Sequence, residues 1–153
     1  GNDLPARFRP GFSILELGFG TGLNFLVTLQ AHREAQTPGP LAYTSFEAFP
    51  MAPADRARAL SAFPELAPEA TELTQALDRP GPRTFGPVTL TIIEGDARQT
   101  LPAWDGEADA AYLDGFSPAK NPEMWEPALL QAVARKLAPG GTLATYTAAG
   151  HVR

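Results

Sequence analysis

Three glycines alternate with other residues in the segment ILELGFGTGLNFL, at Gly18, Gly20 and Gly22. An apolar run that contains Glu16 precedes them, and a helical pattern of apolar residues follows. Glycine allows a tight turn and the close approach of a ligand to the backbone, and a helix that begins there presents free N–H groups. The spacing therefore predicts a ligand-binding loop between a strand and a helix, although a turn without a ligand would use the same glycines.

Acidic residues follow three further apolar runs, at Glu47, Asp96 and Asp114. If these runs are parallel strands, their carboxyl ends meet at one edge of a sheet, which is where ligands bind in open α/β sheets. Carboxylates that cluster at such an edge are costly to bury unless a polar partner hydrogen-bonds to them. The acids and the glycine loop together predict one polar ligand site, although each acid alone is more often an ordinary loop residue.

The same residues argue against several other kinds of site. A dinucleotide loop has the spacing Gly-x-Gly-x-x-Gly and an acid roughly 20 residues later, whereas Gly18 begins a Gly-x-Gly-x-Gly loop and Glu47 lies much further on. The two histidines, His32 and His151, have no partner cluster, so no metal site is predicted. Ser117 has no identifiable histidine partner and the chain has no cysteine, so neither serine hydrolase nor thiolate chemistry is predicted.

The elements that must hold these residues alternate between short apolar runs and helical patterns. Five strands are predicted: Phe12–Leu17, Leu41–Glu47, 88–93, Ala108–Leu113 and 141–147. Helices are predicted after Gly22, over 53–63, and along Trp125, Leu129, Val133 and Leu137, where Pro139, Gly140 and Gly141 end the last one. Residues 64–87 are predicted to form a surface excursion, with helical character only at 69–77 and a loop at 78–87. The alternation predicts an α/β fold with a mostly parallel, doubly wound sheet.

Length, charge and apolar content narrow the class of protein further. A chain of 153 residues with 44% hydrophobic residues fits a single domain with a buried core. Its formal net charge of −5 argues against an unaided nucleic-acid binder, because lysine and arginine make most phosphate contacts. No apolar run approaches the roughly 20 residues that span a bilayer, so a cytoplasmic protein without membrane contact is expected.

The order Glu-x-Gly-x-Gly-x-Gly, with acids after the next strands, resembles class I S-adenosylmethionine-dependent methyltransferases, which have a Rossmann-like fold. The resemblance implies that S-adenosylmethionine is the cofactor. It places Glu16 near the ammonium group of the cofactor, Glu47 at both ribose hydroxyls and Asp96 near the adenine amine. The cofactor-binding residues predicted in this way are Glu16, Gly18, Gly20, Gly22, Asn24, Glu47, Asp96, Ala97 and Asp114.

A more specific resemblance lies in YLDGFSPAKNPEMW, residues 112–125, which is similar to the methyltransferase domain of the MnmC family. That family completes 5-methylaminomethyl-2-thiouridine at the wobble position of tRNA. The similarity extends over nearly the whole chain, through GNDLPARF, ELGFGTGLNFL, SFEAFP, EGDAR and LATYTAAGHVR. It implies methyl transfer from S-adenosylmethionine to the primary amine of 5-aminomethyl-2-thiouridine, with tRNA as the partner.

Asp114 and Phe116 are the predicted catalytic residues. An alkyl amine has a pKa of roughly 10, so it arrives mainly as an ammonium, and Asp114 can accept its proton and orient the lone pair toward the methyl group. Phe116 can lie against the cationic centre. A loop acid or helix cap remains the alternative for Asp114, and core packing for Phe116. The predicted substrate-binding residues are Phe116, Pro118, Lys120 and Asn121, although Asn121 would alternatively cap the following helix.

Many members of the MnmC family carry a flavin-dependent oxidoreductase domain that prepares the amine, and no such segment is recognisable in residues 1–153. A fused or separate FAD-dependent partner is therefore expected, with no FAD and no metal in this chain. Class I methyltransferases continue past the fifth strand, and family members begin upstream of Gly1. The chain is thus expected to be a single methyltransferase domain, truncated at both ends and lacking the last strands.

Two other functions remain open on the sequence alone. A class I relative that acts on a small amine, resembling spermidine synthase, would turn over polyamines rather than tRNA. A folded module that binds the cofactor without catalysis would account for the same glycine loop and acids if the substrate site required further chain.

Overall fold

A computed structural model describes residues 9–35, 39–79, 81–113 and 127–145, which form one six-stranded sheet and the helices that cover it. The strands are β1 (Phe12–Leu17), β2 (Leu41–Glu47), β3 (Arg83–Phe85), β4 (Val88–Glu94), β5 (Ala108–Leu113) and β6 (Leu137–Thr145). The helices are α1 (Leu23–Glu34), α2 (Pro53–Leu60), α3 (Ala67–Ala76), α4 (Ala97–Ala103) and α5 (Pro127–Lys136), with a 3-10 turn at Pro64–Leu66.

The strand order is β3-β4-β2-β1-β5-β6, and each neighbouring pair is parallel except β3 with β4. In the central strand β1, five of the six residues are buried. Continuous burial of this kind is typical of a parallel strand that is covered on both faces. The predicted α/β fold with a mostly parallel, doubly wound sheet is confirmed, and β1, β2 and β5 have the predicted bounds.

Two apolar clusters cover the two faces of the sheet, because successive side chains of a strand point to opposite sides. Ile14 of β1 belongs to the first cluster, together with Phe25 of α1 and Leu73 of α3. Its neighbour Leu15 belongs to the second cluster, together with Leu101 of α4 and residues of α5. Both helix layers therefore pack on the same central strand, which leads directly into the glycine loop.

The prediction that residues 64–87 form a surface excursion is wrong. Leu66 and Leu73 are only 3% and 0% exposed, and both belong to the first cluster. The helix over this stretch, α3, starts directly after the 3-10 turn, and α2 ends at Leu60 rather than at residue 63. Pro64 and Pro68 lie at the starts of the 3-10 turn and of α3, where proline is tolerated, so they do not prevent α3 from packing on the core.

The predicted loop at 78–87 contains the short strand β3, which the sequence did not reveal. It pairs antiparallel with β4, and the Phe85 ring packs edge-on against Phe25 with their centroids 5.0 Å apart. A strand of three residues is too short to display the alternation of apolar and polar side chains that identifies longer strands.

The end of α5 also differs from the prediction. The helix stops at Lys136, and residues 139–141, which were predicted to close it, lie inside β6. The register of β6 against β5 shifts between Ala108 and Ala110, and proline and glycine are tolerated in a strand at such irregularities. The last predicted strand is thus present but begins earlier than residue 141.

We predict that Gly22→Ala destabilises the protein more than Gly20→Ala. A Cβ on Gly22 would lie 2.8 Å from Leu73 Cδ2, whereas a Cβ on Gly20 would have no atom within 4 Å. Both glycines have a positive φ, so Gly20→Ala should lower the free energy of unfolding by about 1–2 kcal/mol and Gly22→Ala by about 2–4 kcal/mol. Urea denaturation measures both values, and equal losses in the two variants would contradict the packing of α3 against this loop.

Candidate functional site

The carboxyl ends of the parallel strands lie side by side. Glu16 of β1 is opposite Ser45 of β2 and Tyr112 of β5. Two residues beyond Ser45, Glu47 of β2 is opposite Glu94 of β4. The loops that follow β1, β2 and β4 therefore lie side by side, and we call this group of loops the carboxyl edge.

The loop between β1 and α1 turns on three glycines with positive φ angles: 92° at Gly18, 59° at Gly20 and 90° at Gly22. The Gly18 N–H donates to the carbonyl oxygen of Phe46 in β2 at 2.8 Å, so the loop is anchored to the neighbouring strand. Gly22 is the N-cap residue of α1, and no side chain caps the helix at that position. The strand, glycine turn and helix predicted for this segment are all present.

Glu47 joins the glycine loop to the end of β2. Its Oε1 accepts a hydrogen bond from the Gly20 N–H at 2.9 Å, and its Oε2 accepts one from the Phe49 N–H at 3.0 Å. The residue is only 5% exposed, so these charge-assisted bonds offset the loss of hydration. Each carboxylate oxygen can accept more than one hydrogen bond, so Glu47 is held in place and can still receive hydroxyl donors from a ligand.

Glu16 lies beneath the loop and is completely buried. Its Oε1 accepts from the Ser45 hydroxyl at 2.8 Å, and its Oε2 accepts from the Asn24 side-chain amide at 3.3 Å. Asn24 is in the first turn of α1, so this carboxylate connects β1, β2 and the start of the helix. In the conformation described, Glu16 organises the loop from below, and its contact with a ligand's ammonium group stays a prediction.

Asp96 is the N-cap residue of α4, and its Oδ1 accepts a hydrogen bond from the Arg98 N–H at 2.9 Å. The Arg98 side chain also donates from Nε to both carboxylate oxygens and from Nη2 to Oδ2 at 2.6 Å. Arg98 thus holds both oxygens of Asp96 in the conformation described, and a contact of this carboxylate with an adenine amine stays a prediction. Ala97 is 5% exposed and packs in the second apolar cluster.

A cavity of about 210 Å³ opens beside the glycine loop, and Gly20 and Glu47 line it together with Arg56. Sequence reasoning missed Arg56, which is only 8% exposed, because its neighbours on α2, such as Asp55 and Arg58, are exposed charged residues. It also missed Phe49, which is 76% exposed directly beyond Glu47 although large apolar side chains are usually covered. Neither residue has a spacing that marks it in the sequence.

Five predicted site residues lie outside the described part of the chain: Asp114, Phe116, Pro118, Lys120 and Asn121. Within the described ranges, no group of three or more His, Cys, Asp or Glu side chains is arranged to hold a metal ion. None of the helices in those ranges combines the length and the apolar character needed to cross a bilayer.

A parallel sheet with a glycine loop after β1 and a buried, backbone-held acid after β2 defines a ligand-binding α/β protein of the Rossmann-like type. Residues 71–153 match the family described as S-adenosyl-L-methionine-dependent methyltransferase. The match spans more than half of the chain, and the chain belongs to this family of enzymes.

Curated relatives share nearly half of their aligned residues with this chain. The tRNA 5-methylaminomethyl-2-thiouridine biosynthesis bifunctional protein MnmC of Chromobacterium violaceum is 45% identical over 165 residues, which cover 99% of this chain and 25% of the relative. The protein of the same name from Pseudomonas paraeruginosa is 50% identical over 145 residues, which cover 90% of this chain and 22% of the relative. The chain thus spans about a quarter of the length of these relatives.

Two solved structures show the same fold. MNMC2 from Aquifex aeolicus superposes with a TM-score of 0.72 at 24% identity, covering 96% of this chain and 46% of that chain. The rRNA methyltransferase aviRa from Streptomyces viridochromogenes superposes with a TM-score of 0.50 at 19% identity, covering 90% of this chain and 66% of that chain. The fold is therefore that of the Rossmann-like class I methyltransferases, as the glycine loop and the strand-end acids predict.

We predict that Arg98→Met raises the pKa of Asp96. Hydrogen bonds from the Arg98 side chain, and then from its backbone N–H, hold the pKa of the Asp96 carboxyl below its ordinary value. The ionised Asp96 carboxylate therefore raises the free energy of unfolding at pH values above its unfolded-state pKa of roughly 3.9. This contribution is lost as the pH falls through the lower pKa of the folded state. NMR titration of the Asp96 carboxyl carbon measures the change.

The control for this titration is Arg58→Met, which removes an exposed arginine paired with Asp55 instead and should leave Asp96 unchanged. The Arg98 N–H still caps the carboxylate in Arg98→Met, so the pKa should rise only part of the way to its ordinary value. An unchanged pKa in Arg98→Met would show that the ion pair does not form in solution.

Proposed function

We propose that this chain transfers a methyl group from S-adenosylmethionine to the primary amine of 5-aminomethyl-2-thiouridine at the wobble position of tRNA. The observation that carries the proposal is the 45% identity over 99% of the chain to a protein named for the biosynthesis of 5-methylaminomethyl-2-thiouridine in tRNA. The Rossmann-like methyltransferase fold and the family match agree with this reaction type.

The carboxyl edge has the donors and acceptors that the proposed cofactor needs. Glu47 offers its remaining lone pairs to the ribose hydroxyls, and its two backbone hydrogen bonds fix it before the ligand arrives. The cofactor-binding residues of the proposal are those expected from the sequence: Glu16, Gly18, Gly20, Gly22, Asn24, Glu47, Asp96, Ala97 and Asp114. When bound there, S-adenosylmethionine supplies the electrophilic methyl group of its sulfonium.

Asp114 is the proposed acceptor for the proton of the substrate amine. It follows Leu113, the last residue of β5, which is opposite Leu17 at the entrance to the glycine loop. An amine with a pKa of roughly 10 must lose a proton before it can attack, and a carboxylate at this position can accept it. Phe116 would lie against the cationic centre, and Pro118, Lys120 and Asn121 would contact the substrate.

The proposed partners are tRNA and an FAD-dependent oxidoreductase that prepares the amine. The relatives are called bifunctional, and the chain aligns with only 25% of the Chromobacterium violaceum protein. We therefore place the second activity in a fused or separate domain outside this single methyltransferase domain. Such an enzyme would act in the cytoplasm, where tRNA is modified.

The test is transfer of labelled methyl groups from S-adenosylmethionine to tRNA that carries 5-aminomethyl-2-thiouridine. Asp114→Asn should lower the rate by about 10²–10⁴-fold, since it removes a general base. Calorimetry should show that the cofactor still binds, because the other eight proposed cofactor-binding residues are unchanged. The matched control is Asp105→Asn, the same change at an exposed residue, which should retain full activity.

Full activity of Asp114→Asn would contradict the role given to that residue. Wild-type turnover of polyamines with none of tRNA would replace the proposal by the small-amine transferase, and binding of the cofactor without any transfer would favour a non-catalytic module.

A further inference from the structure

Phe49 is a large apolar side chain that the fold leaves in solvent. It is 76% exposed, whereas Phe12 of β1, Phe25 of α1 and Phe46 of β2 are buried. A phenyl ring stabilises a fold mainly through the apolar surface that it removes from water, so this ring adds little to the stability of the free protein. Its position directly beyond Glu47, at the carboxyl edge, points instead to a contact with a ligand that binds there.

The backbone that carries the ring is held in place by hydrogen bonds. The Phe49 N–H donates to Glu47 Oε2 at 3.0 Å, and the Gly95 N–H in the loop after β4 donates to the carbonyl oxygen of Glu47 at 3.0 Å. Pro50 follows, and the residue before a proline favours extended conformations. A phenylalanine side chain has few rotatable bonds, so little conformational entropy is lost when a flat ligand group stacks on this ring.

The ring lies outside the cavity that a small ligand on the glycine loop would enter. The lining of that cavity includes Pro50 and Met51 but not Phe49. The next residues of the chain thus face the cavity, while the Phe49 side chain faces solvent. A ring in this position is placed to contact a larger ligand that covers the carboxyl edge from outside.

The ring is also close enough to the proposed reaction centre to contact a neighbour of the reacting nucleotide. Phe46 of β2, Leu17 of β1 and Leu113 of β5 are in register. Adjacent strands are about 4.8 Å apart, so the ends of β2 and β5 are separated by roughly 10 Å. A nucleotide that enters beside the end of β5 therefore leaves its neighbours in a single-stranded loop within reach of the loop after β2.

A nucleobase is the flat group that an acidic protein can bind through an exposed ring. The formal net charge of −5 means that attraction to phosphates contributes little over the protein as a whole. Stacking of bases on aromatic side chains needs no positive charge, and proteins commonly hold the unstacked bases of RNA loops in this way. The wobble position of tRNA lies in such a loop.

We propose that Phe49 is a substrate-binding residue whose ring stacks on a base of the tRNA loop next to the modified uridine. The inference rests on the proposed function, because it takes the substrate to be tRNA. The ring holds the loop against the carboxyl edge and so helps to position the aminomethyl group for transfer. It makes no contact with the cofactor, which separates its role from those of Glu47 and the glycine loop.

The experiment measures the affinity of the full chain for tRNA that carries 5-aminomethyl-2-thiouridine, by filter binding, and for S-adenosylmethionine, by calorimetry. Phe49→Ala should weaken tRNA binding by about 5–150-fold, the range expected for the loss of one stacked base. Phe49→Leu keeps an apolar side chain without the flat ring and should also weaken it, whereas Phe49→Tyr should bind tRNA as wild type does. All three variants should bind S-adenosylmethionine with unchanged affinity.

The salt dependence of tRNA binding separates stacking from a change in phosphate contacts. Each phosphate contact that is lost makes the plot of log affinity against log salt concentration less steep, so Phe49→Ala should leave this slope unchanged. Val27→Ala is the matched control, because Val27 is an exposed apolar residue on α1. It should bind both ligands as wild type does.

Wild-type affinity for tRNA in Phe49→Ala, shown to be folded by circular dichroism, would overturn the inference, and Phe49→Leu replaces that variant if it is unfolded. An equal loss of affinity for S-adenosylmethionine would also overturn it, since the ring would then lie on the adenine of the cofactor or have a structural role. A shallower salt slope would overturn it in favour of lost phosphate contacts. Neither tRNA binding nor methyl transfer by folded wild type would overturn the proposed function as well.

Discussion

The pair of hydrogen bonds that Gly20 and Phe49 donate to Glu47 is the contact on which the rest of the carboxyl edge depends. They join the loop after β1 to the loop after β2 through one carboxylate that is only 5% exposed. Removing this charge from water is tolerable only because both oxygens are hydrogen-bonded. The two loops are thereby ordered before any ligand binds, which lowers the entropic cost of binding.

The apolar core and the site are parts of one packing arrangement. A Cβ at Gly22 would collide with Leu73, so α3 closes against the loop that the glycines form. Under the loop, the buried carboxylate of Glu16 connects Ser45 of β2 to Asn24 of α1. A protein interior deforms little under strain, and displacement of these elements would therefore move the loop and Glu47 together.

The sequence predicts the parts of this arrangement that follow from local pattern and topology. The glycine spacing identifies the loop, and Glu16 and Glu47 come to one edge because β1 and β2 are parallel and their carboxyl ends point the same way. Contacts between distant residues are not recoverable in this way. Arg56 is buried on α2 beside Leu60, among exposed neighbours on the same helix. The hold of Arg98 on Asp96 depends on one side-chain rotamer. The burial of α3 depends on how well its shape fits the glycine loop. The spacing of apolar residues in the sequence carries no information about that fit.

The most direct test of the account is calorimetric titration of Glu47→Gln with S-adenosylmethionine, beside wild type and the exposed control Glu65→Gln. Glutamine keeps one acceptor but turns the other into a donor that faces a backbone N–H. The loop therefore loses a partner, as would the ribose hydroxyls in the proposed cofactor site. We predict saturable one-site binding by wild type and by Glu65→Gln, and affinity lower by about tenfold or more in Glu47→Gln, in line with loss of a charge-assisted hydrogen bond. Unchanged affinity in a folded Glu47→Gln variant would contradict the central place of this carboxylate.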